Sequence, residues 1–202
     1  MVIATGDRYQ LLPGLVLGFH GTNKKTAAAI LAGREIPRVS TNEYDWLGSG
    51  VYFWEHSPQR AYQFAEEKKA RGEIASVAVI GAVIDPGLCL NLMEASALAQ
   101  AKYAYDVLRL AAKPMPENFG GPDLYKRYLD CAVIEMVHEL RKSANDRNSK
   151  EQKLPEYDTV RAMFAEGKNL YDGAGFRQKT HVQICVRNLA CIKGYFKVIP
   201  DA

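Results

Sequence analysis

Between Ile74 and Ile84 the chain reads Ile-Ala-Ser-Val-Ala-Val-Ile-Gly-Ala-Val-Ile, and Asp85-Pro86-Gly87 closes the run. A short stretch dense in Val and Ile, bounded by turn residues, predicts a buried strand and so a sheet-containing fold. It falls well short of the ~18 continuous apolar residues that suggest a membrane span. The remaining elements are read around it. Residues 12–22 form a short apolar strand that ends at His20 and Gly21, behind a turn at Pro13-Gly14. Thr22 or Asn23 caps the helix that follows, with Ala27, Ile30 and Leu31 inward, and Gly33 stops it near a short strand or loop at 36–39. Residues 40–50 read as a loop, and Val51-Tyr52-Phe53-Trp54 as a compact aromatic strand. Ser57 and Pro58 predict the cap and first position of a helix, whose Lys68 and Lys69 suit the negative end of its dipole.

Cys89–Leu92 starts a strand or turn, residues 94–112 suit a helix, and the prolines and glycines of 114–122 mark a break. A second long helix is predicted from Asp123 to about Arg141, with Leu124, Tyr128, Cys131, Met136 and Leu140 along one stripe and Val133 and Val137 widening it. The polar stretch near 143–156 reads as a surface loop inside a single domain of residues 1–202, and 157–164 as a short helix. Two strands, 181–187 and one from about Cys191 to Val198, complete the chain. Strands mixed with unevenly spaced helices argue for α+β.

Composition excludes more than it selects. The net charge of +3 is too small to predict a nucleic-acid binder, although a fold can gather distant basic side chains into one groove. Cys89, Cys131, Cys185 and Cys191 form no C-x-x-C pair, which points to free thiols in a reducing compartment, with cytoplasm as the default. The opening residues lack the basic-then-apolar order of a secretory signal. Neither G-x-G-x-x-G, nor a P-loop, nor H-E-x-x-H, nor G-x-S-x-G is present. His138 between Glu135 and Glu139 reads as a surface charge cluster, and His56 as a solvated turn residue.

Two positions stand out chemically. His20, at a strand end beside a glycine, is placed either as a satisfied structural histidine or as a ligand contact, since Gly21 lets a ligand approach the backbone. Tyr52 follows Gly48-Ser49-Gly50, and alternation sends Tyr52 and Trp54 to one face and Phe53 to the other. The aromatic run is then either core or a platform for a planar ligand.

In order, Gly18-Phe19-His20-Gly21-Thr22, Gly48-Ser49-Gly50-Val51-Tyr52-Phe53, Pro58 to Ala65, and Thr180-His181-Val182-Gln183-Ile184-Cys185-Val186 resemble the ADP-ribosyltransferase superfamily. The likeness is to its histidine-and-tyrosine branch, which includes diphtheria-type toxins and poly(ADP-ribose) polymerases, and it spans about residues 15–200. The resemblance implies a split pair of antiparallel sheets with surrounding helices, NAD+ as co-substrate, and no metal. It implies that His20 holds the NAD+ ribose, that Gly21 and the neighbouring Thr22 bind NAD+ with it, and that Tyr52 stacks on the nicotinamide. The third family position, usually glutamate, falls on Gln183, which forms hydrogen bonds but carries no charge. A replacement acid is sought among Glu43, Asp45, Glu55, Glu166 and Asp172, while Thr180 and His181 are placed to meet a phosphate, ribose or target. Lys24, Lys25, Arg177 and Lys179 supply a basic rim.

The resemblance implies mono-ADP-ribosylation of a protein, RNA or DNA acceptor, a toxin or phage-defence role, and an antitoxin or regulatory protein as a further partner, with no membrane association. An NAD+ glycohydrolase and an inactive NAD+- or ADP-ribose-binding module stand as alternatives.

Overall fold

A computed structural model describes residues 14–111, 114–119, 126–147 and 153–199. The chain order is β1 (Val16–Thr22), α1 (Lys24–Leu31), β2 (Val51–Glu55), α2 (Pro58–Ala70), β3 (Ala78–Ile84), β4 (Cys89–Asn91), α3 (Ala95–Ala111), α4 (Tyr128–Arg147), β5 (Thr159–Phe164), β6 (His181–Val186) and β7 (Ile192–Lys197). This is an α+β arrangement. None of the described helices is long and apolar enough to cross a membrane.

The strands form one hydrogen-bonded ladder in the order β4-β5-β6-β2-β1-β3-β7. Two separate antiparallel sheets are therefore not what forms: the ladder is continuous, and its β4–β5 pair is parallel. The continuity is narrow at one place. β1 pairs with β3 over seven positions, Val16↔Ile84 to Thr22↔Ala78, but with β2 only at Gly18↔Glu55 and Phe19↔Trp54. Across that join the sheet halves pack on each other: Val51, Phe53, Ile184 and Val186 meet Ala82 and Ile84 in one core cluster. Gly18 makes this contact available, since a Cβ there would stand 2.6 Å from Ile84 Cδ1 and 2.8 Å from Phe53 Cβ.

Helices pack against the sheet. Asn23 caps α1 by accepting from the Thr26 N–H at 2.8 Å, and Ala27 and Ile30 pack on Ile80. α2 starts with Pro58 as expected, but Ser57 makes no side-chain capping bond, so the proline supplies the start signal there. Ala61 packs on Phe19 and Trp54. α3 and α4 bury Ala97, Ala104, Ile134 and Val137 against Leu90, Val160 and Cys185.

Several expectations are corrected. Residues 157–164 are not a helix: Thr159–Phe164 is β5, between β4 and β6, with Val160 and Ala162 buried. Pairing on both edges outweighs local helix preference. Strand β3 begins at Ala78 instead of Ile74; of the two readings of 36–39, strand or loop, the structure has the loop. α4 begins at Tyr128 and runs to Arg147, so the start of the expected polar loop is helical. Its buried stripe is Cys131, Ile134, Val137 and Arg141. Expectations at residues 12–13, 112, 120–124 and 148–152 lie outside the described residues. All four cysteines are free and buried.

Candidate active site

The gap between β1 and β2 defines the site. The Leu17 carbonyl accepts from the His56 N–H at 2.9 Å, so the backbone groups of Leu17 face β2. In an extended strand the direction alternates, which turns Phe19 and then Gly21 the same way. After Phe19↔Trp54 the next pair in register would join Gly21 to Tyr52, yet the pairing stops before it. The Tyr52 carbonyl is met instead by His20 Nδ1 at 2.8 Å. The Gly21 N–H and C=O thus point into a ladder position that β2 does not fill, and a half-buried imidazole holds the opening.

This bond fixes the tautomer of His20. A carbonyl only accepts, so Nδ1 carries the proton and Nε2 presents a lone pair. Loss of water around the half-buried ring lowers its pKa, the Tyr52 carbonyl opposes that, and the Lys68 charge adds to the lowering. The neutral ring is the resident form near pH 7. Gly21 is buried beneath α2, where an added Cβ would stand 2.2 Å from the Ala61 carbonyl oxygen. Gly21→Ala should therefore destabilise the protein by about 1–3 kcal/mol through overpacking. An unchanged melting temperature would show that α2 is free to shift.

Tyr52 is anchored by its hydroxyl, which donates to the Gly48 carbonyl at 2.7 Å and accepts from the Leu47 N–H at 3.0 Å. Burial raises its pKa well above the ordinary tyrosine value, so it stays a phenol. The loop is held in turn by α4: Ser49 N–H donates to Glu135 Oε1 at 2.6 Å, and Arg187 Nη1 donates to the Ser49 carbonyl at 3.2 Å. Burial alone would raise the Glu135 carboxyl, but the Ser49 N–H and the Arg187 charge hold it below its usual value.

Gln183 is buried on β6 opposite Trp54, and the register puts it on the face that carries Tyr52. Trp46 Nε1 donates to its Oε1 at 2.6 Å. Indole N–H only donates, which turns the amide oxygen to Trp46 and leaves the Gln183 NH2 as the group available to a ligand. His20 projects on the opposite face, its ring centroid 5.8 Å from that of Phe53. The three residues do not line one face; His20 and Tyr52 meet through the gap, and Gln183 lies one strand beyond.

The acidic candidates separate clearly. Glu55 is on the face opposite Tyr52 and Gln183, and both its oxygens are engaged by Arg161 at 2.5 and 2.8 Å. Glu166 is buried, with Arg60 Nη2 2.7 Å from each oxygen and Lys179 Nζ at 3.6 Å. Neither is placed to serve as an open carboxylate. Glu43 is exposed in a groove of about 350 Å³ beside Ser49 and Tyr128, and Asp172 is exposed in a turn. Asp45 is half-buried in the loop beneath Tyr52. Desolvation raises its pKa against opposing bonds from Ser40 and Asn42, and the Lys68 charge that acts on His20 acts on it too.

The remaining expectations resolve as follows. Thr22 ends β1 against Ala78. Thr180 Oγ1 accepts from the Arg177 N–H at 2.9 Å, and His181 is buried with Nδ1 2.6 Å from the Lys179 carbonyl, so both serve the loop before β6. Lys179 Nζ pairs with Glu67 at 2.7 Å instead of standing clear, while Arg177, Lys24 and Lys25 are exposed. Sequence reasoning missed Trp46, Arg60, Glu135 and Arg187. Glu135 was read as part of a surface cluster, yet it is half-buried and holds Ser49. The i, i+4 relation to its neighbour Glu139 gave no sign of which carboxylate turns inward.

Comparison with protein-family models, with curated proteins and with solved structures finds no match to this chain.

Proposed function

We propose that this chain is an NAD+-dependent mono-ADP-ribosyltransferase acting on a protein or nucleic-acid acceptor. One observation carries the reading: the β1–β2 ladder opens at Gly21, with the Tyr52 carbonyl taken by His20. The freed pair, one N–H and one C=O, complements the C=O and N–H of a carboxamide such as that of nicotinamide. The His20 Nε2 lone pair is suited to accept from a ribose hydroxyl. The Tyr52 ring, pinned by its hydroxyl to the 47–48 backbone, offers an oriented surface for the nicotinamide plane. Gln183 donates from its amide nitrogen and so orients without neutralising charge.

In this mechanism the bond between nicotinamide and C1′ of the ribose breaks and its electron pair leaves with nicotinamide. A lone pair on the acceptor then forms the new bond to C1′, and the proton that acceptor atom carried passes to solvent. Orientation and electrostatics carry the rate. Positive charge builds on the ribose, and among the acids weighed Asp45 is the one that is both shielded from water and not neutralised by an arginine. Asp45→Asn should lower turnover by about 100-fold, the scale of removing one oriented electrostatic group. Because burial raises the Asp45 pKa, the ionised form is lost as pH falls through a value above that of an ordinary aspartate. Activity should fall on that acid limb, and the limb should vanish in Asp45→Asn. A wild-type profile in the variant would remove Asp45 from the mechanism.

The direct test uses NAD+ labelled in the adenylate half, followed by separation of protein, DNA and RNA. Label is expected in one macromolecular fraction. A second reading, a module that binds NAD+ without turnover, is favoured by Gln183 and its engagement by Trp46. Bound NAD+ with no nicotinamide release would establish it, and release without label transfer would indicate hydrolysis.

A further inference from the structure

Behind the loop that anchors Tyr52 lies a second cavity of about 210 Å³ between α4, the segment before β5, and Arg187. Arg141 and Tyr157 are its buried residues, His138 and Arg187 are half-buried, and Lys142 stands at the exposed edge. We infer that this cavity binds the phosphate group of a small molecule, and that its occupancy acts on the Tyr52 loop through Arg187.

Three cations converge there, two of them guanidinium groups with the planar donor fork that matches a phosphate. The Arg141 guanidinium is fixed in advance, 4.3 Å over the Tyr157 ring and donating from Nε to the Pro155 carbonyl. His138 also lines the cavity, and its buried Nε2 has no hydrogen-bond partner among the described residues. Burial first, then the Arg187 and Arg141 charges, bring the His138 pKa to about 4 against the opposing Glu135, so the ring is a neutral hydrogen-bonding group at ordinary pH. The exposed Glu139 and Glu156 also line the cavity and repel an extended polyanion. A single phosphate fits that balance better than a nucleic-acid backbone.

The same Arg187 Nη1 holds the Ser49 carbonyl at 3.2 Å and approaches Glu135 Oε1 at 3.4 Å. Glu135 Oε1 takes the Ser49 N–H, and the neighbouring Gly48 carbonyl takes the Tyr52 hydroxyl. A phosphate on Arg187 competes with Ser49 and Glu135 for one guanidinium, and so alters the clamp on the loop. Coupling of this kind is reciprocal: a ligand that tightens the Tyr52 loop shifts phosphate affinity by the same factor. Phosphate binding and the Ser49 response are independent of the transferase reading; only an effect on turnover rests on it.

The test is a heteronuclear NMR titration of the full chain, without NAD+, using inorganic phosphate and separately adenosine monophosphate, with sodium chloride holding ionic strength. Saturable shifts are expected at the Lys142 and Ser49 amides. Arg187→Gln should weaken binding about tenfold or more, the scale of one charge-assisted hydrogen bond. Lys142→Ala, an exposed substitution that leaves the core untouched, should weaken it by about threefold as a rim charge. Equal affinity for the two probes supports a site for free phosphate, and tighter monophosphate binding supports a phosphate monoester. Absence of a saturable shift, or wild-type affinity in the folded variants, overturns the site. Saturation at Lys142 with a motionless Ser49 amide overturns the coupling.

Discussion

His20→Ala is expected to lower NAD+-dependent label transfer by about 100- to 1,000-fold, the range measured when one oriented polar group is removed from a reaction centre. Two losses combine in that variant. The Nε2 acceptor disappears, and so does the imidazole edge that occupies the Tyr52 carbonyl at 2.8 Å. Once that carbonyl is vacant, the Gly21 N–H is its next partner in register, and the strands gain a hydrogen bond by closing. Amide exchange at Gly21 should therefore slow in His20→Ala even as activity is lost. Slower exchange with loss of transfer separates closure of the gap from simple unfolding, which would speed exchange. Full transfer activity in a folded His20→Ala protein would reject the assignment.

Glu166→Gln is expected to cost about 3–5 kcal/mol, because it leaves the buried Arg60 guanidinium without its principal counter-charge. Arg60 and Glu166 have 5% and 5% of their side-chain surface exposed, and the next carboxylate, Glu67, lies 3.6 Å from Arg60 Nη1. For a chain of this length the melting temperature should drop by about 6–20 °C. Arg60→Met combined with Glu166→Gln should recover part of the loss, since a buried apolar side chain needs no partner. An unchanged melting temperature in the single variant would show that water or Glu67 already compensates the arginine. The pair also bears on the site, because Arg60 adjoins Ala61, whose carbonyl lies against Gly21.

Residues that announce a local geometry were legible in the sequence. Asn23 and Pro58 mark helix starts, and alternation assigned Tyr52 and Trp54 to one face with Phe53 on the other, as the register with Cys185, Gln183 and Ile184 has it. β5 escaped although Val160 and Ala162 alternate with Thr159, Arg161 and Met163, because so short a run fits either period. Its neighbours β4 and β6, far away in sequence, decide the matter. The site divides in the same way. His20 and Gly21 are adjacent in sequence and were singled out together, whereas the bond from Trp46 to Gln183 spans 137 positions and that from Ser49 to Glu135 spans 86. No pattern within a helix or loop encodes such a meeting. Even for His20, the family resemblance implied a pocket shared with Tyr52 and did not foretell that the imidazole replaces a backbone partner.

Gly18 touches no proposed ligand group, yet Phe53 and Ile84 close over it from opposite halves of the sheet. The aperture a few residues downstream is consequently governed from behind, by side-chain bulk in an apolar wedge. On the transferase reading, exchanging Ile84 for a shorter or longer aliphatic residue should alter the width of the β1–β2 opening while leaving its polar contacts in place.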